Sequence, residues 1–265
     1  MSHTTLDTIT TNVRESVLGG TSKYLEGELF GGAGVVICRR GEAPRDAGGY
    51  VYVEAENPAL VSAVIFELRD ALAGVMDLDL RDRLYPELGA AALAACELGV
   101  DDARLVGVML KAAGNVLHAT RRAYFAYGSN MDGAQMALRC PDAALVGPAA
   151  ADGWRLWMDQ AGYATIVEAA GGRVEGALWE ISVADELELD RYEGVASGCY
   201  EKRAIHAAGE GGEGGEGESL VYASLRTPVT METFRAGYLD RCLAASRELG
   251  LDGAMARLAE VRVVG

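Results

Sequence analysis

Residues 124–131 read YFAYGSNM, an aromatic, β-forming run that stops at Gly128 and passes Ser129 and Asn130 into a helix predicted near 130–139. Glycine at such a corner permits close backbone approach. The amides of the first helical turn, backed by the macrodipole, can hold an anion such as a carboxylate. Taken alone, the corner also fits an ordinary capped helix with Ser129 or Asn130 as its cap.

Downstream of this corner the pattern is predominantly β. Strand composition occurs near 145–150, 154–158, 163–168, 173–181, 199–207 and 220–225, with a second short helix near 184–192. Two helices are predicted to close the chain, at about 231–248 and 252–261. Residues 209–218, GEGGEGGEGE, cannot build a packed core and read as a solvated loop between two strands. Their glutamates lack the ligand order of a calcium loop.

Upstream the chain reads as mostly helical with a small β component. GVVICR at 34–39 and YVYVE at 50–54 flank a turn-rich stretch, which predicts a hairpin. Asn57 and Pro58 open a helix whose apolar residues recur at helical spacing through Leu72. A second helix is predicted from about Pro86 to Leu98 with Gly99 as its stop, and a third from Asp101 and Asp102. Composition changes at 118–122 with no flexible linker. The expected organisation is therefore two abutting domains, 1–120 and 121–265, of α+β class: a largely helical first domain, then a mixed sheet or small barrel flanked by helices.

Composition narrows the function. The 265-residue chain carries a formal net charge of -15, which opposes binding to phosphate backbones or anionic lipid surfaces. Half of its residues are hydrophobic, yet no run is long enough to span a bilayer and no basic start precedes a short apolar segment. A soluble cytoplasmic protein is expected, with no nucleic acid and no membrane as partner. A small-molecule substrate is expected instead, and a homodimer is left open. Cys38, Cys96, Cys140, Cys199 and Cys242 form no C-x-x-C pair, and His3, His118 and His206 are isolated from one another. Reduced thiols and no metal site are the expectation.

A second motif lies at 191–200, RYEGVASGCY, where Glu193 precedes Gly194 at the predicted end of a short helix and Tyr200 follows in a strand. On its own, Glu193 reads as a solvated surface carboxylate. Together with YFAYGSN, with A-T-I at 164–166 and with V-x-G-x-x-W at 174–179, the pattern resembles the γ-glutamylcyclotransferase family, a branch of the AIG2-like proteins. The resemblance covers 124 to about 261 and does not extend to residues 1–120. It implies that Glu193 is the catalytic acid/base. It further implies that Tyr124, Phe125, Ala126, Tyr127, Gly128, Ser129, Asn130, Tyr200 and Tyr238 contact substrate.

The reaction it implies is intramolecular. The α-amine of a γ-glutamyl group attacks its own γ-carbonyl, closing 5-oxoproline and expelling an amine, so neither an enzyme nucleophile nor a cofactor is required. A base is required, because an α-ammonium is not nucleophilic at neutral pH. A solvated glutamate, with its ordinary pKa of about 4.3, would be a weak base, so partial desolvation of Glu193 is expected. Ser129 lies in Y-G-S-N, not G-x-S-x-G, and no histidine is placed to activate it. A binding or regulatory module that holds such a ligand without turning it over is the competing expectation. A third is that the first half has an activity of its own, coupled to the second.

Overall fold

The computed structural model describes residues 35–39, 51–209, 218–229, 235 and 237–254. The chain divides into two compact units between Thr120 and Arg121.

In the first unit, strands β1 (Val35–Arg39) and β2 (Val51–Ala55) pair in parallel, from Val35↔Val51 to Arg39↔Ala55. This corrects the hairpin expectation. Parallel strands need a connection of roughly a dozen residues, and eleven positions separate β1 from β2 in the sequence. Helix α1 (Pro58–Leu72) buries Val61, Val64, Ile65, Leu68 and Leu72. Asn57 occupies its cap position without a side-chain cap bond. The loop is held instead by Asp102, whose carboxylate accepts from the amides of Glu56, at 2.9 Å, and Asn57.

Helix α2 (Leu78–Glu97) begins eight residues before the expected start and carries Pro86 inside it. Starting the helix at about Pro86 misplaces its boundary. The cap is Asp77, accepting from Leu80 N at 2.8 Å, and the buried stripe Leu80, Leu84, Leu88 runs through the proline. That continuous apolar face outweighs the one backbone hydrogen bond that proline removes. Gly99, at φ +65°, ends the helix as expected, and α3 (Asp102–Ala119) follows its Asp101 cap.

The second unit contains β3 (Arg121–Ala126), a 3₁₀ turn (Ser129–Met131), α4 (Gly133–Arg139), β4 (Ala144–Asp159), β5 (Ala164–Ser182) and α5 (Val183–Tyr192). A 3₁₀ turn (Val195–Ser197), β6 (Tyr200–His206), β7 (Ala208–Gly209), β8 (Glu218–Ser224), β9 (Pro228–Val229) and α6 (Tyr238–Glu248) follow. The strands form one mixed sheet in the order β6-β8-β3-β5-β4-β7, with β9 beside β4. The order does not close on itself, so the architecture is the mixed sheet and not a barrel. Among the described strands of this sheet, only β3 and β8 are parallel neighbours.

Four short strands expected between 145 and 181 are two long ones, β4 and β5, paired as a ribbon. Register shifts at Leu145/Gly147 and Asp152/Trp154 insert extra residues that bend the ribbon. Each insertion interrupts the two-residue alternation and so reads in sequence as a strand end. Of the acidic loop, residues 210–217 lie outside the described residues, as do most of the helix expected at 252–261 and the start of that expected at 231–248. Phe125, Met136, Met158, Ile181 and Leu189, all fully buried, belong to the hydrophobic core of this unit. Among the described residues no helix is long and apolar enough to cross a membrane.

Candidate active site

Helix α5 starts with a capping box, in which Ser182 Oγ accepts from Asp185 N and Asp185 accepts from Ser182 N. It stops at Glu193, whose amide bonds Leu189 O at 2.8 Å, because Gly194 takes the left-handed conformation at φ 66°. The helix thereby presents Glu193 at its C-terminal edge. On the other side, β3 ends at Ala126 and is followed directly by Tyr127 and Gly128. Glu193 and the Gly128 corner face one cavity of about 460 Å³.

Asn130 joins the two features. Its Nδ2 donates to Glu193 Oε1 at 3.0 Å and to the Tyr124 hydroxyl at 2.8 Å. Its Oδ1 accepts from Gln135 Nε2 at 2.8 Å and from Arg139 Nη1 at 2.8 Å. A guanidinium has no acceptor, so Arg139 fixes which end of the amide faces it and hence which end faces Glu193. Arg139 Nη1 also lies 3.7 Å from Glu193 Oε1, and its guanidinium stacks over the Tyr192 ring.

The Glu193 side chain is 16% exposed. Burial pushes its carboxyl above the ordinary glutamate value, opposed by the Arg139 charge and the Asn130 hydrogen bond. A carboxylate with one oxygen anchored and a raised proton affinity is equipped to accept and return a proton. Burial also raises the hydroxyls of Tyr124, Tyr127, Tyr222 and Tyr238 well above the usual tyrosine range, and that of Tyr200 likewise. They remain neutral hydrogen-bonding groups at physiological pH.

Most residues expected in the site are brought together: Glu193, Tyr124, Tyr127, Gly128, Ser129, Asn130, Tyr200 and Tyr238 all line the cavity. Phe125 and Ala126 do not. Strand alternation sends the Phe125 ring to the opposite face from Tyr124, where it is fully buried, and the Ala126 methyl is covered in the same core. A second correction concerns the corner itself. Ser129–Met131 is a 3₁₀ turn, and α4 starts separately under an Asp132 cap, so no α-helical amide cradle forms at Ser129. Among the described residues, the amides of Gly128, Ser129 and Asn130 nevertheless have no acceptor in the protein.

Residues missed from sequence are Gln135, Arg139, Tyr163, Tyr192, Arg226 and Arg241, which also line the cavity. Tyr192 lies inside the second motif and Tyr163 just before A-T-I, but no local pattern marks Gln135, Arg139, Arg226 and Arg241. The one available signal is sign contrast, since arginines converging in a strongly acidic chain mark a place where anions are welcome. Cys199 lines the cavity as well, whereas Cys140 and Cys242 are buried, the latter thiol pushed up to about 12. Among the described residues no group of three or more His, Cys, Asp or Glu is placed to hold a metal ion.

Gly128 is required by close approach. A methyl group there would lie 2.7 Å from the Tyr238 hydroxyl, which itself accepts from Ala164 N at 3.3 Å. Gly128→Ala should therefore cost about 1–3 kcal/mol in chemical denaturation. Adding Tyr238→Phe, which deletes the clashing oxygen, should recover much of that loss; additive losses would show that the two positions are not in contact.

Residues 124–236 match the family model described as Gamma-glutamyl cyclotransferase, AIG2-like. A bovine (Bos taurus) gamma-glutamylcyclotransferase is 35% identical over 89 residues, which are 29% of this chain and 46% of that protein. The match thus spans about half the length of that curated relative. A solved gamma-glutamyl cyclotransferase structure aligns with 25% identity and a TM-score of 0.46, over 54% of this chain and 89% of its own. YkqA from Bacillus subtilis aligns with 23% identity and a TM-score of 0.46, over 52% and 53% respectively. The Gamma-glutamyl cyclotransferase, AIG2-like family model thus matches the part of the C-terminal unit that carries Glu193 and the Gly128 corner.

Proposed function

We propose that the C-terminal unit is a γ-glutamylcyclotransferase that converts the γ-glutamyl group of a γ-glutamyl amide to 5-oxoproline and releases the amine, with Glu193 as the proton carrier. The observation that carries this is a single half-buried carboxylate, tied by Asn130 to the corner that bounds the other side of the cavity.

In this scheme Glu193 takes a proton from the substrate α-ammonium, and the freed amine attacks the γ-carbonyl carbon. A new C–N bond closes the five-membered ring. Glu193 returns that proton to the leaving nitrogen, whose bond to carbon breaks as the tetrahedral intermediate collapses, and it carries across in the same way the second proton that the attacking nitrogen loses on becoming the lactam N–H. The substrate enters with one ammonium and the released amine leaves as another, so no proton is consumed. Because both reacting atoms belong to one small skeleton, holding it folded can supply an effective molarity of roughly 10⁵ M.

The unpaired amides of Gly128, Ser129 and Asn130 are suited to the substrate α-carboxylate. The neutral hydroxyls of Tyr127 and Tyr200 donate to Tyr222 O and Ala164 O and keep lone pairs that can accept from the substrate ammonium. The test is to incubate the protein with a panel of γ-glutamyl amino acids, peptides and amines and to detect 5-oxoproline by mass spectrometry. Product formation is the expected result. Ligand binding with no product from any member would instead make this cavity a recognition site without turnover.

A further inference from the structure

The described residues lining the cavity include seven tyrosines and three arginines, but no Leu, Ile, Val, Met or Phe. Such a wall offers hydroxyls, aromatic faces and cations, and gives an aliphatic side chain little to bury against. Glu193 is its one carboxylate. In a chain of net charge -15, a cavity with three guanidiniums and one acid reverses the sign of the whole molecule.

The three arginines are not equivalent. Arg139 is held by Asn130 Oδ1 and lies beside Glu193, so it serves the proton carrier. Arg226 is braced from behind by Asp159, at 3.1 Å, a fully buried residue that does not line the cavity, and its guanidinium lies 5.9 Å from the Tyr200 ring centre. Arg241 is braced by the Gln135 side-chain oxygen and by Asp132, 3.8 Å away, which likewise lies outside the lining. Each brace occupies only part of a five-donor guanidinium and leaves further N–H groups for a ligand.

These observations deepen the proposed cyclotransferase reaction and rest on it. With the substrate α-carboxylate on the amides at 128–130 and Arg139 beside Glu193, two cations remain for the rest of the ligand. We infer that Arg226 and Arg241 form the leaving-amine subsite and select an amine that itself carries two acid groups, so that the favoured substrate class is the γ-glutamyl derivative of an acidic amino acid. Each guanidinium pairs with one of those carboxylates. An uncharged side chain leaves one arginine unanswered, and a simple alkylamine leaves both.

The test uses the full-length protein and a matched pair, γ-glutamyl-glutamate and γ-glutamyl-glutamine, which differ by one acid in nearly the same shape, with γ-glutamyl-leucine and γ-glutamyl-ethylamide as further members. Released 5-oxoproline gives kcat/KM for each. The glutamate compound is expected to exceed the glutamine compound by about tenfold or more, with leucine and ethylamide lower still. In Arg226→Met and Arg241→Met, checked for folding by circular dichroism, the Glu/Gln ratio should fall toward unity, and the Lys replacements should retain part of it. The wild-type ratio decides the matter even where a Met variant does not fold. Equal values for the matched pair, within about twofold, or a preference for leucine, overturn the acidic subsite while leaving the cyclotransferase reaction in place. Absence of 5-oxoproline from every member overturns that reaction, and this inference falls with it.

Discussion

Glu193→Gln should give a folded protein that releases no measurable 5-oxoproline, a loss of at least about 10³-fold in kcat. The amide keeps the shape of the side chain and an oxygen that can still accept from Asn130 Nδ2 at the 3.0 Å contact. It cannot take a proton from an ammonium. Folding should survive for a reason that follows from the direction of the pKa change. Burial raises the folded-state value above the unfolded one. The stability linked to this group is therefore fully present at pH below the unfolded pKa and is lost as pH rises through the folded value. At neutral pH the ionised carboxylate is a cost to the fold, offset in part by Arg139 and Asn130. Removing the charge should leave the thermal midpoint unchanged or raised, and Arg139 keeps its bond to Asn130 and its place over Tyr192. Turnover near the wild-type rate would remove Glu193 from the proposed reaction.

Legibility of the site tracks sequence distance. Tyr124, Tyr127, Gly128, Ser129 and Asn130 sit in one string, and Glu193 and Tyr200 in another, so two short motifs place much of the cavity wall. What they cannot supply is the facing of each side chain. Phe125 belongs to the first string, and only the alternation of a strand bonded on both edges removes it from the site. Arg226 and Arg241 are invisible in sequence because their meaning depends on β8 and α6 reaching the same hollow as the corner after β3, a long-range fact without local periodicity. The same distinction runs through the fold. The Asp101 cap and the Gly99 stop are local chemistry and mark boundaries well. Pro86 misleads because a local rule competes with a buried stripe, and tertiary burial wins. The β4–β5 ribbon misleads because bulges erase the alternation by which a strand is recognised.

The largest expected effect away from Glu193 comes from Asn130→Asp, a change of one atom type at nearly constant shape. The oxygen facing Arg139 and Gln135 can keep both of its hydrogen bonds. The atom facing Glu193 turns from a donor into an acceptor, so a 3.0 Å attraction becomes a contact between two carboxylates. Two carboxyl groups that close share a proton, and the pair then titrates with macroscopic values of which the upper one is strongly raised. The proposed reaction needs Glu193 unprotonated at the start of each cycle. Its acid limb in kcat/KM, which in the wild type should already lie above the ordinary glutamate range, should therefore move upward by about one to three pH units in the variant. Near pH 7 the variant should be about 10- to 100-fold slower, with activity returning as the medium is made more alkaline. Stability should follow the same titration. Because the folded-state value of the pair is raised, the variant's deficit against wild type should be small at pH 5 and grow toward pH 8. A variant that is slow at every pH with its acid limb unmoved would mean that Asn130 merely fills space beside Tyr124, and that the hydrogen bond to Glu193 does not set the proton affinity of the site.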